Sequence, residues 1–182
     1  MEAFLVSTGI VALAEMGDKT QLLALVLAAR YRRPGPICLG ILAATLANHA
    51  LAAGLGAWIA GLLGYDLMRW IVGASFLAMA AWILVPDKPA AEDVRPRLGP
   101  FLATLVSFFL VEMGDKTQIA TVALAARYPA TAAVVAGTTL GMMLANVPAV
   151  YLGERLLRRI PVRTVHAVGA ATFVVLGILA LL

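Results

Sequence analysis

The seven residues Glu15-Met16-Gly17-Asp18-Lys19-Thr20-Gln21 recur unchanged 97 positions later, as Glu112-Met113-Gly114-Asp115-Lys116-Thr117-Gln118. A seven-residue identity in a chain of 182 residues is far beyond chance, so the chain consists of two copies of one unit. The sequence predicts a first repeat at approximately 1–85 and a second at 100–182, with a polar cytoplasmic linker at 86–99 between them.

Both copies of the motif lie in a very apolar chain. Hydrophobic residues make up 62% of the sequence and charged residues 13%, about half the charge of an ordinary soluble domain. Such a chain cannot cover a water-facing surface, which excludes a soluble enzyme, a nucleic-acid-binding protein and a disordered protein. A single cysteine, Cys38, excludes a disulfide framework and a cysteine-rich metal site.

Six apolar stretches are each long enough to cross a hydrocarbon core of about 30 Å as a helix. Because backbone groups in lipid must be hydrogen-bonded within their own segment, the predicted fold class is an all-α membrane protein without β structure. The six predicted spans are Ala3–Ala29, Pro36–Leu62, Leu67–Val85, Pro100–Ala126, Thr131–Gly153 and Val165–Leu182.

Three spans per copy is an odd number, so the second copy must enter the membrane from the opposite side. The sequence therefore predicts two inverted-topology three-helix repeats, an arrangement typical of transporters whose substrate site lies near the midplane. In the loops, two cations, Arg69 and Arg127, fall on one face of the membrane, and ten fall on the other. The positive-inside rule predicts that the ten-cation face is cytoplasmic and that both termini lie outside. The ten cations are Arg30, Arg32, Arg33, Lys88, Arg95, Arg97, Arg155, Arg158, Arg159 and Arg163.

The motif supplies oxygen ligands at the middle of the first and fourth spans. On a continuous helix, Glu15, Asp18 and Gln21 would share one face because they are spaced three residues apart. The second copy supplies Glu112, Asp115 and Gln118 in the same way. Carboxylate and amide oxygens with almost no nitrogen or sulfur suit a hard divalent cation such as Ca²⁺, Mg²⁺ or Mn²⁺. The hydroxyls of Thr20 and Thr117 would join them if the helix were locally distorted.

The charges of the motif suggest a transport cycle. Four carboxylates and two lysines sum to −2, which one divalent cation would neutralise. At roughly 2.5–3.5 kcal/mol per central charge, six unpaired charges would oppose insertion by on the order of 15–20 kcal/mol, so they must be paired, protonated or metal-bound. Crowded acids are expected to hold protons when no cation is present. Metal entry would then expel protons, and returning protons would expel the metal.

Three other interpretations remain open at this point. The acids could be structural, since Glu15 to Lys19 and Glu112 to Lys116 are i,i+4 pairs in the favoured order, although this leaves both aspartates unpaired. Even in a transporter, the lysines would be expected to tether the glutamates between transport steps. The acids could instead bind a small cationic or zwitterionic solute for export. A membrane enzyme is disfavoured because neither His nor Cys stands at the depth of the motif.

The second helix of each copy carries further polar and small residues. Asn48 and Asn146 either line the site or form interhelical hydrogen bonds. The spacings Gly40-x-x-x-Ala44 and Gly137-x-x-x-Gly141 predict close helix packing.

The two histidines receive structural interpretations. His49 is expected to be buried with its hydrogen bonds satisfied. His166 is expected to lie near the membrane interface. Cys38 is expected to be inert.

The doubled motif resembles the signature of uncharacterised protein family sixteen, the Gdt-type calcium/manganese cation–proton antiporters. That signature reads E-x-G-D-[KR]-[ST] once in each half, and the resemblance covers essentially the whole chain without a departure in either copy. It implies exchange of Mn²⁺ or Ca²⁺ for protons by a transporter, not an enzyme, with the cation as substrate and no prosthetic group. The implied ligands are Glu15, Asp18, Glu112 and Asp115, with Gln21, Gln118, Thr20 and Thr117 as weaker candidates. Apart from the resemblance, the positions of Lys19, Lys116, Asn48 and Asn146 make them secondary candidates for the site.

The resemblance also bears on the choice of metal and on the location of the protein. Bacterial members of the family are associated with manganese export, which favours Mn²⁺ over Ca²⁺. The expected location is a bacterial inner membrane. The expected partners are the divalent cation, protons and the lipid bilayer, with no nucleic acid; an oligomer is compatible with the sequence but not required.

Overall fold

The computed structural model describes residues 1–63, 65–85, 98–153 and 161–182, and within this part of the chain all regular structure is helical. The all-α expectation is thus confirmed there, while most of the predicted linker, 86–97, lies outside the described residues. The eight helices are α1 (Glu2–Glu15), α2 (Lys19–Tyr31), α3 (Pro34–Leu62), α4 (Tyr65–Trp82), α5 (Pro100–Glu112), α6 (Lys116–Arg127), α7 (Thr131–Leu152) and α8 (Val162–Leu181).

The helix of each motif is broken at its glycine. Gly17 has φ 83° and Gly114 has φ 78°, backbone conformations that glycine adopts without the penalty of a side chain. The preceding methionines, Met16 and Met113, are extended, with ψ 117° and 116°. The prediction that the first and fourth spans are single continuous helices was therefore wrong. Each of these spans is a pair of half-helices, α1 with α2 and α5 with α6.

Among the described residues, three helices are long and apolar enough to cross a membrane by themselves. They are α3, α7 and residues Arg163–Leu181 of α8. The half-helices contain only 12 to 14 residues each, too few to cross a hydrocarbon core alone.

The two repeats interlock because the first half-helix of each packs on the second helix of the other. A Cβ atom at Gly137 of α7 would lie 2.5 Å from the Phe4 carbonyl oxygen of α1. A Cβ atom at Gly40 of α3 would lie 2.8 Å from the Phe101 carbonyl oxygen of α5. Both contacts obey the 97-residue offset, and both confirm the close packing predicted from these glycines.

The two broken helices run antiparallel to each other. The hydroxyl of Tyr31, at the end of α2, donates to the Leu98 carbonyl just before α5, at 3.0 Å. The hydroxyl of Tyr128, the repeat equivalent of Tyr31, donates to Glu2 Oε1 at the start of α1, at 3.1 Å. The end of each broken helix therefore lies beside the start of the other.

The third helices of the two repeats, α4 and α8, pack extensively against each other. At their contact the rings of Phe76 and Phe173, which are again 97 residues apart, have centroids 6.1 Å from each other. The pair also packs on the core, α4 against α6 and α8 against α1.

The two arginines assigned to the poorly charged face are close in space. Arg69 of α4 and Arg127 of α6 line the same cavity of about 140 Å³, which places them at one end of the bundle. Six of the ten cations assigned to the opposite face lie outside the described residues: Lys88, Arg95, Arg97, Arg155, Arg158 and Arg159.

Candidate cation-binding site

The two broken helices bring four acidic side chains into the interior. Glu15, Asp18, Glu112 and Asp115 are each at most 4% exposed. Carboxylate oxygens of Glu15, Glu112 and Asp115 lie within 4.8 Å of one another. Two oxygens on opposite sides of a Ca²⁺-sized ion, each about 2.4 Å from it, are separated by about this distance. The three carboxylates therefore lie close enough to share one divalent cation.

Each glutamate is held by the threonine of its own motif. Thr20 Oγ1 donates to Glu15 Oε2 at 2.6 Å, and Thr117 Oγ1 donates to Glu112 Oε2 at 2.9 Å. These contacts depend on the break, which turns the first residues of the second half-helix back towards the end of the first. Thr20 and Thr117 thus orient the glutamates in this structure.

The lysines pair with aspartates of the opposite repeat. Lys19 Nζ lies 3.0 Å from Asp115 Oδ1, and Lys116 Nζ lies 3.4 Å from Asp18 Oδ1. The expected i,i+4 pairing of each lysine with the glutamate of its own motif was wrong, because the lysines instead pair with the aspartates. The reason is the break, which removes the helical register that would have aligned glutamate and lysine.

The two ion pairs differ in their exposure. The Lys116 side chain is 1% exposed, whereas that of Lys19 is 19% exposed. A buried charge depends strongly on its partner because it has lost its hydration. Loss of the partner carboxylate should therefore be more costly for Lys116 than for Lys19.

Several buried oxygens at the site have no hydrogen-bond partner among the described residues. They include Glu15 Oε1, Glu112 Oε1 and Asp115 Oδ2. Leaving a buried acceptor without a donor is costly, and at a site of converging carboxylates a cation would satisfy these oxygens. Carboxylate oxygens are the donors that hard divalent cations prefer.

Asn48 and Asn146 are fully buried, and each leaves an amide oxygen without a partner. Asn48 Nδ2 donates across helices to the Phe109 carbonyl of α5 at 3.0 Å. Asn146 Nδ2 donates within α7 to the Met142 carbonyl at 3.1 Å. Both Oδ1 atoms therefore remain available as further neutral acceptors.

The two glutamines form hydrogen bonds with the backbone at the breaks. Gln21 Oε1 accepts a hydrogen bond from the Gly17 N–H at 3.0 Å, and Gln118 Oε1 accepts one from the Gly114 N–H at 2.7 Å. The predicted face shared by Glu15, Asp18 and Gln21 was wrong, because the helix is interrupted between the glutamate and the aspartate. As ligands, Gln21 and Gln118 stay a prediction.

The half-helix ends add to the electrostatics of the site. α2 and α6 begin immediately after Asp18 and Asp115, so the positive ends of their dipoles face the aspartates. Discontinuous helices with ends directed at a central site are a feature of many transporters.

His49 differs from its sequence interpretation, and His166 makes a contact that the sequence did not predict. His49 is fully buried, and neither ring nitrogen has a partner among the described residues, so the expectation of a satisfied histidine was wrong. His166 Nε2 lies 2.8 Å from the Met16 carbonyl oxygen at the first break. Its expected location near the membrane interface stays a prediction. No motif marks His166, and the distance of 150 residues to Met16 hid the contact from sequence reasoning.

Comparison with known proteins identifies the family of this chain. A family model described as "Divalent cation/proton antiporter GDT1" matches residues 3–91 and 100–182. A protein of Vibrio cholerae serotype O1 named "Putative manganese exporter" is 50% identical over 179 residues, which cover 98% of this chain and 90% of that protein. "GDT1-like protein 4" of Oryza sativa subsp. indica is 29% identical over 199 residues, covering 94% of this chain and 70% of that protein.

A GDT1-like protein of Synechocystis is 28% identical over 195 residues, covering 95% of this chain and 93% of that protein. No solved structure matches the chain. The family model covers both repeats and therefore both copies of the acidic motif. With its paired half-helices and buried carboxylates, the chain belongs to the GDT1 family of divalent cation/proton antiporters, which are transporters and not enzymes.

Proposed function

We propose that this chain exports Mn²⁺ across a bacterial inner membrane in exchange for protons, with Glu15, Asp18, Glu112 and Asp115 as the central binding residues. The observation that carries the proposal is the buried group of Glu15, Glu112 and Asp115, whose oxygens come from both repeats and lie within 4.8 Å of one another.

The charge of the site supports exchange of one divalent cation for two protons. Lys19 neutralises Asp115 and Lys116 neutralises Asp18, so of the four acids only Glu15 and Glu112 form no ion pair with a described residue. Their charge of −2 when ionised is cancelled equally by one divalent cation or by two protons. In this scheme the lysines stay in place, and the two glutamates alternate between metal and protons.

The proposed topology is six spans in two inverted three-helix repeats. The antiparallel contacts of Tyr31 with Leu98 and of Tyr128 with Glu2 support it. Each broken helix would form one span, and the breaks would lie near the midplane, where irregular backbone is tolerated only when it is buried in protein or lines a cavity. Both termini would lie outside the cytoplasm.

The choice of Mn²⁺ is supported by the name of the Vibrio cholerae relative, which is half identical to this chain. The oxygen-rich site itself is compatible with either Mn²⁺ or Ca²⁺. An inwardly directed proton gradient would drive the metal out of a bacterial cell, which makes export the expected direction.

The decisive experiment is metal flux in proteoliposomes with an imposed pH gradient. Wild type should move Mn²⁺ against its gradient and acidify or alkalinise the lumen in step, whereas Glu15→Gln and Glu112→Gln should reduce the flux by at least tenfold. Ca²⁺ in the same assay tests the choice of metal.

A matched control is Glu2→Gln, because Glu2 lies at the start of α1 and binds Tyr128 outside the acid group. This variant should transport at a rate close to that of wild type. Absence of gradient-driven metal flux from well-folded protein would refute the proposal. Flux of a small organic cation that Mn²⁺ does not inhibit would favour a solute exporter instead.

A further inference from the structure

The third helices occupy an asymmetric position on an otherwise symmetric core. Exchange of the two repeats relates α1 to α5, α2 to α6 and α4 to α8. In the structure α4 packs on α6 and α8 packs on α1. The contacts that the exchange would generate, α4 on α5 and α8 on α2, are at most marginal in the described part of the chain.

The two third helices nevertheless share the register of the repeat. α4 begins at Tyr65 and α8 begins at Val162, 97 residues later. Ser75 Oγ donates to the Ile71 carbonyl, and the equivalent Thr172 Oγ1 donates to the Val168 carbonyl. The 97-residue offset therefore assigns equivalent positions in the two helices residue by residue.

This register makes Arg69 the equivalent of His166. A carbonyl oxygen only accepts hydrogen bonds, so His166 Nε2 donates to the Met16 carbonyl and covers the first break with α8. The equivalent carbonyl belongs to Met113, a residue that is 50% exposed, and no described residue covers the second break in the same way. Arg69 Nε meanwhile forms an ion pair with Asp66 Oδ1 at 3.9 Å but makes no hydrogen bond in the described part of the chain.

We propose that α4 and α8 have a second position, in which α4 packs on α5 and α8 packs on α2. In that position Arg69 is the positioning residue: it donates to the Met113 carbonyl, as His166 donates to the Met16 carbonyl in the present position. The two positions are related by exchange of the repeats. The role of this movement rests on the transport function proposed above: alternation between the two positions would cover first one break and then the other during transport.

Disulfide trapping tests the two positions separately. The chain has one cysteine, so Cys38→Ala provides a cysteine-free background. A Cβ atom at Gly169 would lie 3.6 Å from Leu13 Cβ, within the range for a disulfide, so Leu13→Cys with Gly169→Cys reports the present position. The repeat equivalents, Val72→Cys with Leu110→Cys, report the second position.

Both pairs are oxidised in proteoliposomes with and without Mn²⁺ and a pH gradient. Remaining thiols are then counted by maleimide labelling after unfolding in detergent, with single-cysteine variants as controls. We expect both pairs to form disulfides, the second more readily during turnover. Each disulfide should reduce metal flux at least tenfold, and a reducing agent should restore the flux.

Two substitutions test the role of the donors. His166→Leu should raise the yield of the second disulfide relative to the first, and Arg69→Met should lower it. Each shift should be about fivefold, as expected for one net hydrogen bond.

The proposal is overturned if the Val72–Leu110 pair keeps its thiols under all conditions while the Leu13–Gly169 pair closes. It is also overturned if locking the first pair leaves flux unchanged. If both disulfides form in protein that moves no metal, the second position is supported and the proposed transport function is refuted. The failure of one proposal can therefore be distinguished from the failure of the other.

Discussion

Lys19 Nζ lies 3.0 Å from Asp115 Oδ1, so the lysine of the first motif neutralises the aspartate of the second. The reciprocal pair of Lys116 with Asp18 makes the relationship symmetric. Neither motif is electrostatically complete without the other, which explains why the motif occurs twice in one chain.

A double-mutant cycle on Lys19 and Asp115 should reveal this coupling. We expect Lys19→Gln and Asp115→Asn to be non-additive by about 0.5–3 kcal/mol in the free energy of unfolding, because each removes the same ion pair. The control cycle uses Lys19→Gln with Glu15→Gln, the pair that a continuous helix would have formed. Equal coupling in both cycles would contradict the pairing between repeats.

The two aspartates should differ in their importance for stability. Asp18→Asn removes the carboxylate that binds the fully buried Lys116 and should destabilise the protein by about 3 kcal/mol or more. Asp115→Asn affects Lys19, whose side chain is 19% exposed and can reach water, and should destabilise it less. Thermal unfolding in detergent measures the difference, and an equal or reversed order would count against the burial argument.

The glycine at the second break should be needed for its backbone conformation. Nothing lies within 4 Å of a Cβ atom at Gly114, so Gly114→Ala tests only the strain at φ 78°, which we expect to be about 1–2 kcal/mol. Gly114→Asn should be milder, because asparagine tolerates positive φ better. Gly9→Ala is the matched control, since Gly9 is helical and equally unobstructed. If all three variants had the same melting temperature, the break would not require glycine.

Close packing between repeats predicts a strong effect at Gly137. Its Cβ atom would meet the Phe4 backbone at 2.5 Å, so Gly137→Ala must push α1 and α7 apart and should destabilise the protein by about 1–3 kcal/mol. Gly54→Ala, in the open part of α3, should be neutral or slightly stabilising. The comparison requires only melting temperatures. A neutral Gly137→Ala would refute the tight contact.

Exchange of one divalent cation for two protons should be electroneutral. We therefore expect Mn²⁺ flux in proteoliposomes at a fixed pH gradient to be unchanged when a potassium gradient with valinomycin imposes a membrane potential. The control is a vesicle with valinomycin and equal potassium on both sides. A flux that follows the imposed potential would show that net charge moves in each cycle and that Glu15 and Glu112 do not exchange protons as a pair.

Much of the fold could be read from the sequence because apolar length and internal identity are direct signals. The ends of α3 and α7 lie within two residues of the predicted spans. The glycines that contact the opposite repeat, Gly40 and Gly137, were also identified, since small residues at fixed spacing have one common use in membranes.

The geometry of the site could not be read in the same way. The sequence identified the acids, but a helical register was assumed across Gly17 and Gly114, and a single glycine is tolerated inside many helices. The positive φ at these positions is decided by what surrounds the motif, including the hydrogen bonds from their N–H groups to Gln21 and Gln118. The partners of the lysines and of His166 lie about 100 or more residues away in the chain and carry no local signal.

The packing of α1 on α7 and of α5 on α3 has a consequence for synthesis of the protein. When the ribosome has made only the first repeat, Asp115 and Lys116, which pair with Lys19 and Asp18, do not yet exist, and neither does α7, which packs on α1. Early inserted intermediates must therefore keep the first broken helix near the insertion machinery or the membrane surface until the second repeat arrives. We therefore expect the ion pairs of the two broken helices to form together, after the second repeat has been made.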